Sequence, residues 1–115
     1  MGSADGLMLQ AELDGQLADN AEAIDAMRGS GRECARAEAR YRTAKAARML
    51  RLKADGFPAS MAGDIAKGDP EVSGEYVAWK CAEADYRADQ ERVMLAKRRV
   101  DVLREQISRD WGQAR

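Results

Sequence analysis

Few residues in this 115-residue chain could perform chemistry, and their spacing limits what they could do. The chain has no histidine, which removes the commonest general base, the commonest metal ligand and every Ser–His or Cys–His arrangement. No serine lies in a nucleophile-elbow motif. The sequence Gly29-Ser30-Gly31 lacks the lysine and the strand–loop–helix context of a phosphate-binding loop. We therefore predict that the protein is not an enzyme.

Carboxylates at helical spacing are the remaining candidates for metal ligands. Glu71 and Glu75, and likewise Asp85 and Asp89, are four residues apart and would lie on one face of a helix. Carboxylates alone could hold Mg²⁺ or Ca²⁺. The ordinary interpretation is a solvated or salt-bridged helix face, and we predict neither a metal site nor a cofactor.

Two basic clusters and one tryptophan are the candidate partner-binding residues. The first cluster is a ridge of residues spaced by four: Arg28, Arg32, Arg36 and Arg40. It could bind phosphates or an acidic protein groove, or it could form internal ion pairs in which Arg36 and Arg40 meet Asp89 and Asp85. The second cluster is Lys97-Arg98-Arg99, with the acids of residues 12–25 as its internal alternative. Trp111 lies near the end of the last predicted helix, where an exposed ring could anchor a partner.

Composition places the chain in the all-α class. Only 5% of the residues are aromatic, 34% are charged, and no stretch alternates apolar with polar residues as a half-buried strand does. This profile is typical of long helices that pack along a narrow apolar seam. We predict a single domain over residues 1–115, folded as a long, coiled-coil-like antiparallel two-helix hairpin with a short helix at the turn.

The first helix is predicted over about residues 6–54, with Asp5 as a possible cap. Residues three and four apart define its seam: Leu13, Leu17, Asn20, Ile24 and Met27. The segment Gly29-Ser30-Gly31 either ends this helix or lies inside it. Because the same stepping continues through Gly31 and Cys34, we favour a continuous helix, although each glycine costs about 1 kcal/mol relative to alanine.

The turn is predicted from Asp55-Gly56-Phe57-Pro58, in which the glycine ends the first helix and the proline prevents its continuation. A short helix over about residues 58–67 would present Phe57, Met61 and Ile65 to the first helix. Asp69-Pro70-Glu71 then starts the last helix, because Asp is a good cap and Pro suits the first helical position.

The last helix is predicted over residues 70 to about 110. Its apolar stripe is Val72, Tyr76, Trp79, Ala82, Tyr86, Val93, Ala96, Val100, Leu103, Ile107 and Trp111. Steps of three and four dominate, so the stripe would face the first helix.

The charge pattern predicts the direction of helix pairing. Residues 1–27 carry six acids and no base, whereas residues 28–53 carry nine bases and two acids. Residues 54–91 carry nine acids and three bases, and residues 92–115 carry seven bases and three acids. If the chain folds back at residues 55–69, every block lies beside a block of opposite sign. Each exposed pair adds only a few tenths of a kcal/mol, so the pattern selects direction more than it stabilises.

This geometry also predicts a register in which residues whose numbers sum to about 124 lie side by side. Cys34 and Cys81 would then be about nine residues out of register, on the order of 13 Å along the helix axis. A disulfide needs Cα atoms within about 7 Å. We predict no bridge between them, and two cysteines without CxxC spacing fit a reducing compartment.

Three stretches combine into a pattern of helix, turn, short helix, turn and helix: Tyr41–Ala46, Leu50–Pro58 and Ile65–Val72. This pattern resembles a family of small helical proteins encoded by bacteriophages and prophages, often near recombination or early genes. The resemblance covers roughly residues 36–90 and carries over no catalytic residue. It implies a cytoplasmic location in a bacterial host cell, which agrees with the absence of a signal-peptide pattern or an apolar membrane-spanning run.

The missing catalytic groups and the resemblance favour a phage accessory protein that binds another macromolecule, with a protein as the expected partner. One version is a counter-defence, anti-CRISPR-like inhibitor that occupies the surface of a bacterial immune complex. The alternative is a nucleic-acid-binding accessory of phage recombination that uses the ridge from Arg28 to Arg40. The net charge of −1 supplies no overall attraction to nucleic acid or membrane.

The apolar residues at the open end of the hairpin, where the two termini meet, exceed what one helix pair can cover. They are Leu7, Leu9, Leu13, Leu17, Val100, Val102, Leu103, Ile107 and Trp111. Leu9 and Val102 fall off the main stripes and would face solvent in a monomer. Because a single seam is a thin core, we predict a homodimer through this end. The same surface could instead bind a foreign partner.

Overall fold

The structure is a computed structural model that describes residues 3–113. It contains three helices, α1 (Ser3–Ala54), α2 (Ala59–Lys67) and α3 (Pro70–Gln113), and the described residues form no strand. The all-α hairpin with a short helix at its turn is confirmed. The predicted bounds lie within three residues of the observed ones. Since α1 begins at Ser3, Asp5 lies inside its first turn and does not cap it.

The chain forms two compact units. Residues 1–28 and 87–115 form the terminal unit, and residues 29–86 form the turn unit. Each unit contains one stretch of α1 packed antiparallel to one stretch of α3, and the turn unit also holds α2.

Helix α1 runs without interruption through Gly29, Ser30 and Gly31, as the seam stepping predicts. In the turn unit, Gly31 lies against the ring of Tyr86, whereas the space beside the α-carbon of Gly29 is open. Only Gly31 therefore has a packing reason to lack a side chain.

A glycine ends α1 in the predicted way. Gly56 has a φ of 96°, a left-handed conformation that glycine adopts without steric cost. Its N–H donates to the carbonyl oxygen of Lys53 at 3.1 Å, and the N–H of Phe57 donates to that of Leu52 at 3.0 Å. These two bonds form a Schellman motif, which satisfies carbonyls that the helix end leaves free.

Helix α2 covers the last two turns of α1, but with smaller residues than predicted. Leu52 is buried against Ala62 and Ala66, and Met49 and Ile65 pack around them. The alanines allow a short helix to approach closely. The expected contact residues Phe57 and Met61 are 43% and 52% exposed.

Asp69 caps α3, as predicted, and has a second role that the sequence did not suggest. Its Oδ1 accepts hydrogen bonds from the backbone N–H groups of Glu71 at 3.0 Å and Val72 at 3.3 Å. Its Oδ2 lies 3.3 Å from Nε of Arg48 on α1. One carboxylate therefore starts α3 and pairs it with α1.

The predicted register is wrong by about one heptad. Contacts in the turn unit join Arg40 to Glu75, Tyr41 to Tyr76 and Gly31 to Tyr86, pairs whose numbers sum to 115–117 rather than about 124. The cause is α2: because it covers the end of α1, α3 begins beside Arg48 and not beside Ala54. A seven-residue shift leaves the same residues on the seam and changes only which of them lie opposite each other, so the apolar pattern cannot distinguish the two registers.

The seam is built largely from small residues. Ala23 and Ala37 on α1 are fully buried, and the buried residues of α3 include Ala82, Val93, Ala96, Val100 and Leu103. In the terminal unit, Oε1 of Gln16 and Oδ1 of Asn20 are buried without a hydrogen-bond partner among the described residues. Leu17, predicted on the seam, is 39% exposed, because Gln16 occupies the buried position before Asn20 in its place.

Both cysteine thiols are free, but the predicted separation of the two residues along the helix axis is wrong. In the observed register Cys34 lies near the level of Glu83, so Cys81 is only about two residues away along the axis. The two residues differ in the helix face that they occupy: Cys34 is half-buried on the seam and Cys81 is exposed.

Candidate protein-contact site

The terminal unit has an apolar cavity at the open end. The cavity measures about 280 Å³, and its lining includes Gly6, Leu7, Leu9, Ile107, Asp110 and Trp111. The space beside the α-carbon of Gly6 is open, since no atom lies within 4 Å of where a Cβ on Gly6 would be. The cavity is large enough to receive a bulky apolar side chain.

Three large side chains at this end of the terminal unit are mostly in water. Leu7 is 71% exposed, and Met8 and Trp111 are each 70% exposed. A tryptophan can bury about 150–250 Å² of surface, so an exposed tryptophan can still gain much buried apolar area by binding a partner. Grouped exposed apolar residues mark contact sites more often than scattered ones do. We call these three residues and the cavity beside them the apolar end.

The apolar end is smaller than the sequence predicts. Val100 and Leu103 are buried in the seam, and Leu9 is half-buried rather than exposed to solvent. Val102 is 59% exposed, as expected. It lies one residue before buried Leu103, and therefore about 100° away around the helix.

The arginine ridge is only partly available to a partner. In the terminal unit, Arg28 lies 3.9 Å from Asp25, with both side chains largely exposed. In the turn unit, Arg32 and Arg36 are exposed and form no ion pair with any described residue. Arg40 is engaged within its own unit, as described next.

Arg40 does not pair with Asp85 as the predicted register required, nor does Arg36 pair with Asp89. Nη2 of Arg40 donates to Oε1 of Glu33 at 2.9 Å, and Nε lies 3.5 Å from Oε2 of Glu75. The hydrogen bond to Glu33 is the largest cause that raises the pKa of Arg40 above its ordinary value. The change of register explains the exchange of partners, since it moves Asp85 away from Arg40 and brings Glu75 near it.

Lys97, Arg98 and Arg99 are exposed on α3 in the terminal unit. The internal partners expected for them, the acids of residues 12–25, do not pair with them: within residues 3–113 none of the three forms an ion pair. Their positive charge is therefore available to another molecule.

The turn unit contains an aromatic cluster that the sequence analysis did not predict. The ring of Tyr41 stacks on Trp79 with centroids 5.4 Å apart, and Tyr76 meets both rings edge to face. Nζ of Lys80 lies 4.2 Å from the Trp79 centroid. The spacing of Tyr76 and Trp79 placed them on one stripe, but only the correct register brings Tyr41 into contact with both.

The remaining candidate chemistry finds no geometric support in the described part of the chain. Glu75 pairs with Arg40, and no group of three or more acids or cysteines among residues 3–113 is arranged to hold a metal ion. None of the helices as described has both the length and the apolar character needed to cross a membrane.

Comparison of the chain with protein-family models, with curated proteins and with solved structures gives no match.

Proposed function

We propose that this chain is a non-enzymatic binding protein that acts through protein–protein contact. The observation that carries the proposal is the apolar end, where Leu7, Met8 and Trp111 are each about 70% exposed and Leu7 and Trp111 line a cavity. Tryptophan is among the residues that most often dominate the energy of protein interfaces.

The first contact that we propose is a homodimer through the apolar end. In a two-fold dimer each residue of the patch is used twice, so two copies supply two tryptophans and two cavities. Trp111 of one copy would enter the cavity of the other copy. The walls of that cavity include Leu9 and Ile107. The four helix ends would then form a local four-helix layer, adding core to a chain whose seam consists largely of small residues.

The resemblance to phage proteins suggests how such a dimer would be used. The dimer would act in the cytoplasm of a bacterial host cell, and an inhibitor of a bacterial defence complex is the version that the resemblance favours. Blocking a surface needs no catalytic group, so this activity is compatible with a chain that has no histidine.

Sedimentation equilibrium over a range of micromolar concentrations tests the proposal. The wild-type chain should show a mass approaching twice that of one chain, and Trp111→Ser should shift the midpoint to much higher concentration. Val77→Ser is the matched control, since Val77 is 60% exposed but lies in the turn unit. A mass of one chain at every concentration would remove the dimer and leave the apolar end as a site for a foreign protein.

A nucleic-acid-binding accessory is the second candidate function. It is favoured by five of the predicted site residues, which are exposed and form no ion pair with any described residue: Arg32, Arg36, Lys97, Arg98 and Arg99. Binding of duplex or single-stranded DNA should weaken steeply with salt, because neutralised phosphates release counterions. No binding at about 50 mM salt would exclude this function.

A further inference from the structure

In the terminal unit, the side of α1 that faces away from the seam carries only negative charges. Ala23 is buried in the seam, whereas Asp25, two residues later, is exposed and lies about 200° around the helix. Steps of three and four back from Asp25 give a line of exposed residues: Ala11, Asp14, Ala18, Glu22 and Asp25. The one base in the described part of this stretch, Arg28, follows the line and lies 3.9 Å from Asp25. We call this line the acidic face.

In the turn unit, the side of α1 that faces away from the seam carries only positive charges. Ala37 is buried, and Ala39, two residues later, is exposed. The exposed line through Ala39 is Arg32, Arg36, Ala39, Thr43 and Ala46. Its two arginines form no ion pair with any described residue. The acids of α1 in this unit, Glu33 and Glu38, lie off the line, and each already accepts a hydrogen bond from an arginine of the same helix. We call this line the basic face.

We propose that the acidic face of one copy binds the basic face of a second copy, with the two helices antiparallel. Small residues recur on both faces at matching intervals. In the alignment where residue numbers sum to 57, Ala18 lies beside Ala39. Ala11 then lies beside Ala46. Because these side chains are short, the helix axes can approach to about 8 Å, the lower end of the range for packed helices.

The charged residues select the direction of the contact. In the antiparallel alignment Asp25 lies beside Arg32. Glu22 lies within one residue of the position opposite Arg36. A parallel alignment that keeps the two central alanines together would instead place every charged residue of both faces beside an uncharged residue. Only the antiparallel pair therefore brings opposite charges together, and such complementarity fixes the choice and register of a partner.

The separation of the two signs identifies a second copy as the partner. It is not a general property of these helices, since the outward side of α3 in the terminal unit mixes Arg98 with Asp101 and Glu105. A nucleic acid could bind the basic face, but the acidic face would repel it, and neither face has an aromatic ring on which a base could stack. A second copy supplies a complement to both faces. The contact uses none of the three residues that define the apolar end, so it is additional to the proposed dimer.

Charge exchange tests this contact in full-length chains that also carry Trp111→Ser, which removes the dimer through the apolar end. In sedimentation equilibrium at high micromolar concentration, the Trp111→Ser chain should associate at about 20 mM salt and be a single chain at about 500 mM, because salt screens the charges. Arg32→Glu with Arg36→Glu should weaken the association more than tenfold, and Glu22→Arg with Asp25→Arg should do the same. An equimolar mixture of these two variants should restore it, since the mixture joins an intact acidic face to an intact basic face.

The matched control is Arg98→Glu with Arg99→Glu, which changes the net charge by the same amount at exposed positions outside both faces and should leave the association unchanged. The inference is overturned if the Trp111→Ser chain does not associate at low salt, if either charge-reversed variant associates as before, if their mixture does not associate, or if the control weakens equally. The proposed function is tested separately in the wild-type chain at about 500 mM salt, where the contact between the charged faces is screened.

Discussion

The ring of Tyr86 lies where Gly31 has no side chain. A Cβ added to Gly31 would lie 3.1 Å from Cε1 of Tyr86, closer than ordinary van der Waals contact. A Cβ added to Gly29, two residues earlier on the same helix, would meet nothing within 4 Å. The two glycines that interrupt the helical pattern therefore have different roles, and only one is required by packing.

The first prediction compares these two glycines. Gly29→Ala should raise the free energy of unfolding by about 1 kcal/mol, because alanine loses less conformational entropy in a helix. Gly31→Ala should gain less than half as much, since the Tyr86 ring must move by a few tenths of an ångström. Gly31→Leu should lower stability by about 1–3 kcal/mol through overpacking. Urea unfolding measures all three, and equal gains for the two alanine variants would mean that Tyr86 does not pack on Gly31.

The second prediction concerns the two roles of Asp69. Asp69→Ala removes the cap of α3 and the partner of Arg48, and should lower stability by about 1–2 kcal/mol. Asp69→Asn keeps an oxygen that can cap but removes the charge, so it should cost less than half of that. Thermal unfolding of the two variants separates the roles. An equal loss in both would assign the whole effect to the ion pair.

The third prediction concerns the aromatic cluster. Trp79 is half-buried and contacts Tyr41 and Tyr76, so Trp79→Ala should lower stability by roughly 2 kcal/mol, less than for a fully buried tryptophan. Val77→Ala, at an exposed position in the same unit, should change stability by less than about 0.5 kcal/mol. If the two variants unfold alike in urea, the stacking does not stabilise the turn unit.

The fourth prediction tests the close approach of the helices in the terminal unit. Ala23 is fully buried, and Ala23→Leu should lower stability by about 1–3 kcal/mol because the larger side chain must push α3 away. Ala18→Leu makes the same change at an exposed position of the same stretch and should be nearly neutral. Comparable urea midpoints for the two variants would show that the seam tolerates bulk at Ala23.

The sequence predicted the starts and ends of the helices well, because each of them depends on only a few neighbouring residues. Gly56 ended α1 and Asp69 began α3, and both follow from backbone chemistry that any context preserves. The continuity of α1 through Gly31 followed from seam phase. The blocks of charge correctly indicated antiparallel pairing, because reversing one helix changes the sign of every pair.

Register and exposure could not be predicted in the same way. A repeat of seven residues looks the same after a shift of seven, and only the volume of α2 against Leu52 decides between the two alignments. The ion pairs of Arg40 and the cluster around Tyr41 depend on that decision. Trp111 lies on the predicted stripe but is 70% exposed, because a stripe pattern alone does not show where the opposing helix stops covering it.

The emission of Trp111 tests the central claim, that the apolar end is a protein-contact surface, most directly. The chain has two tryptophans, so Trp79→Phe leaves Trp111 as the sole emitter while keeping a ring in the cluster. We expect emission at short wavelength at high protein concentration, shifting to the wavelength of water-exposed tryptophan on dilution, at the concentrations where the sedimentation mass falls. Emission typical of water-exposed tryptophan at every concentration, in a chain that remains fully helical by circular dichroism and sediments as a dimer, would contradict it.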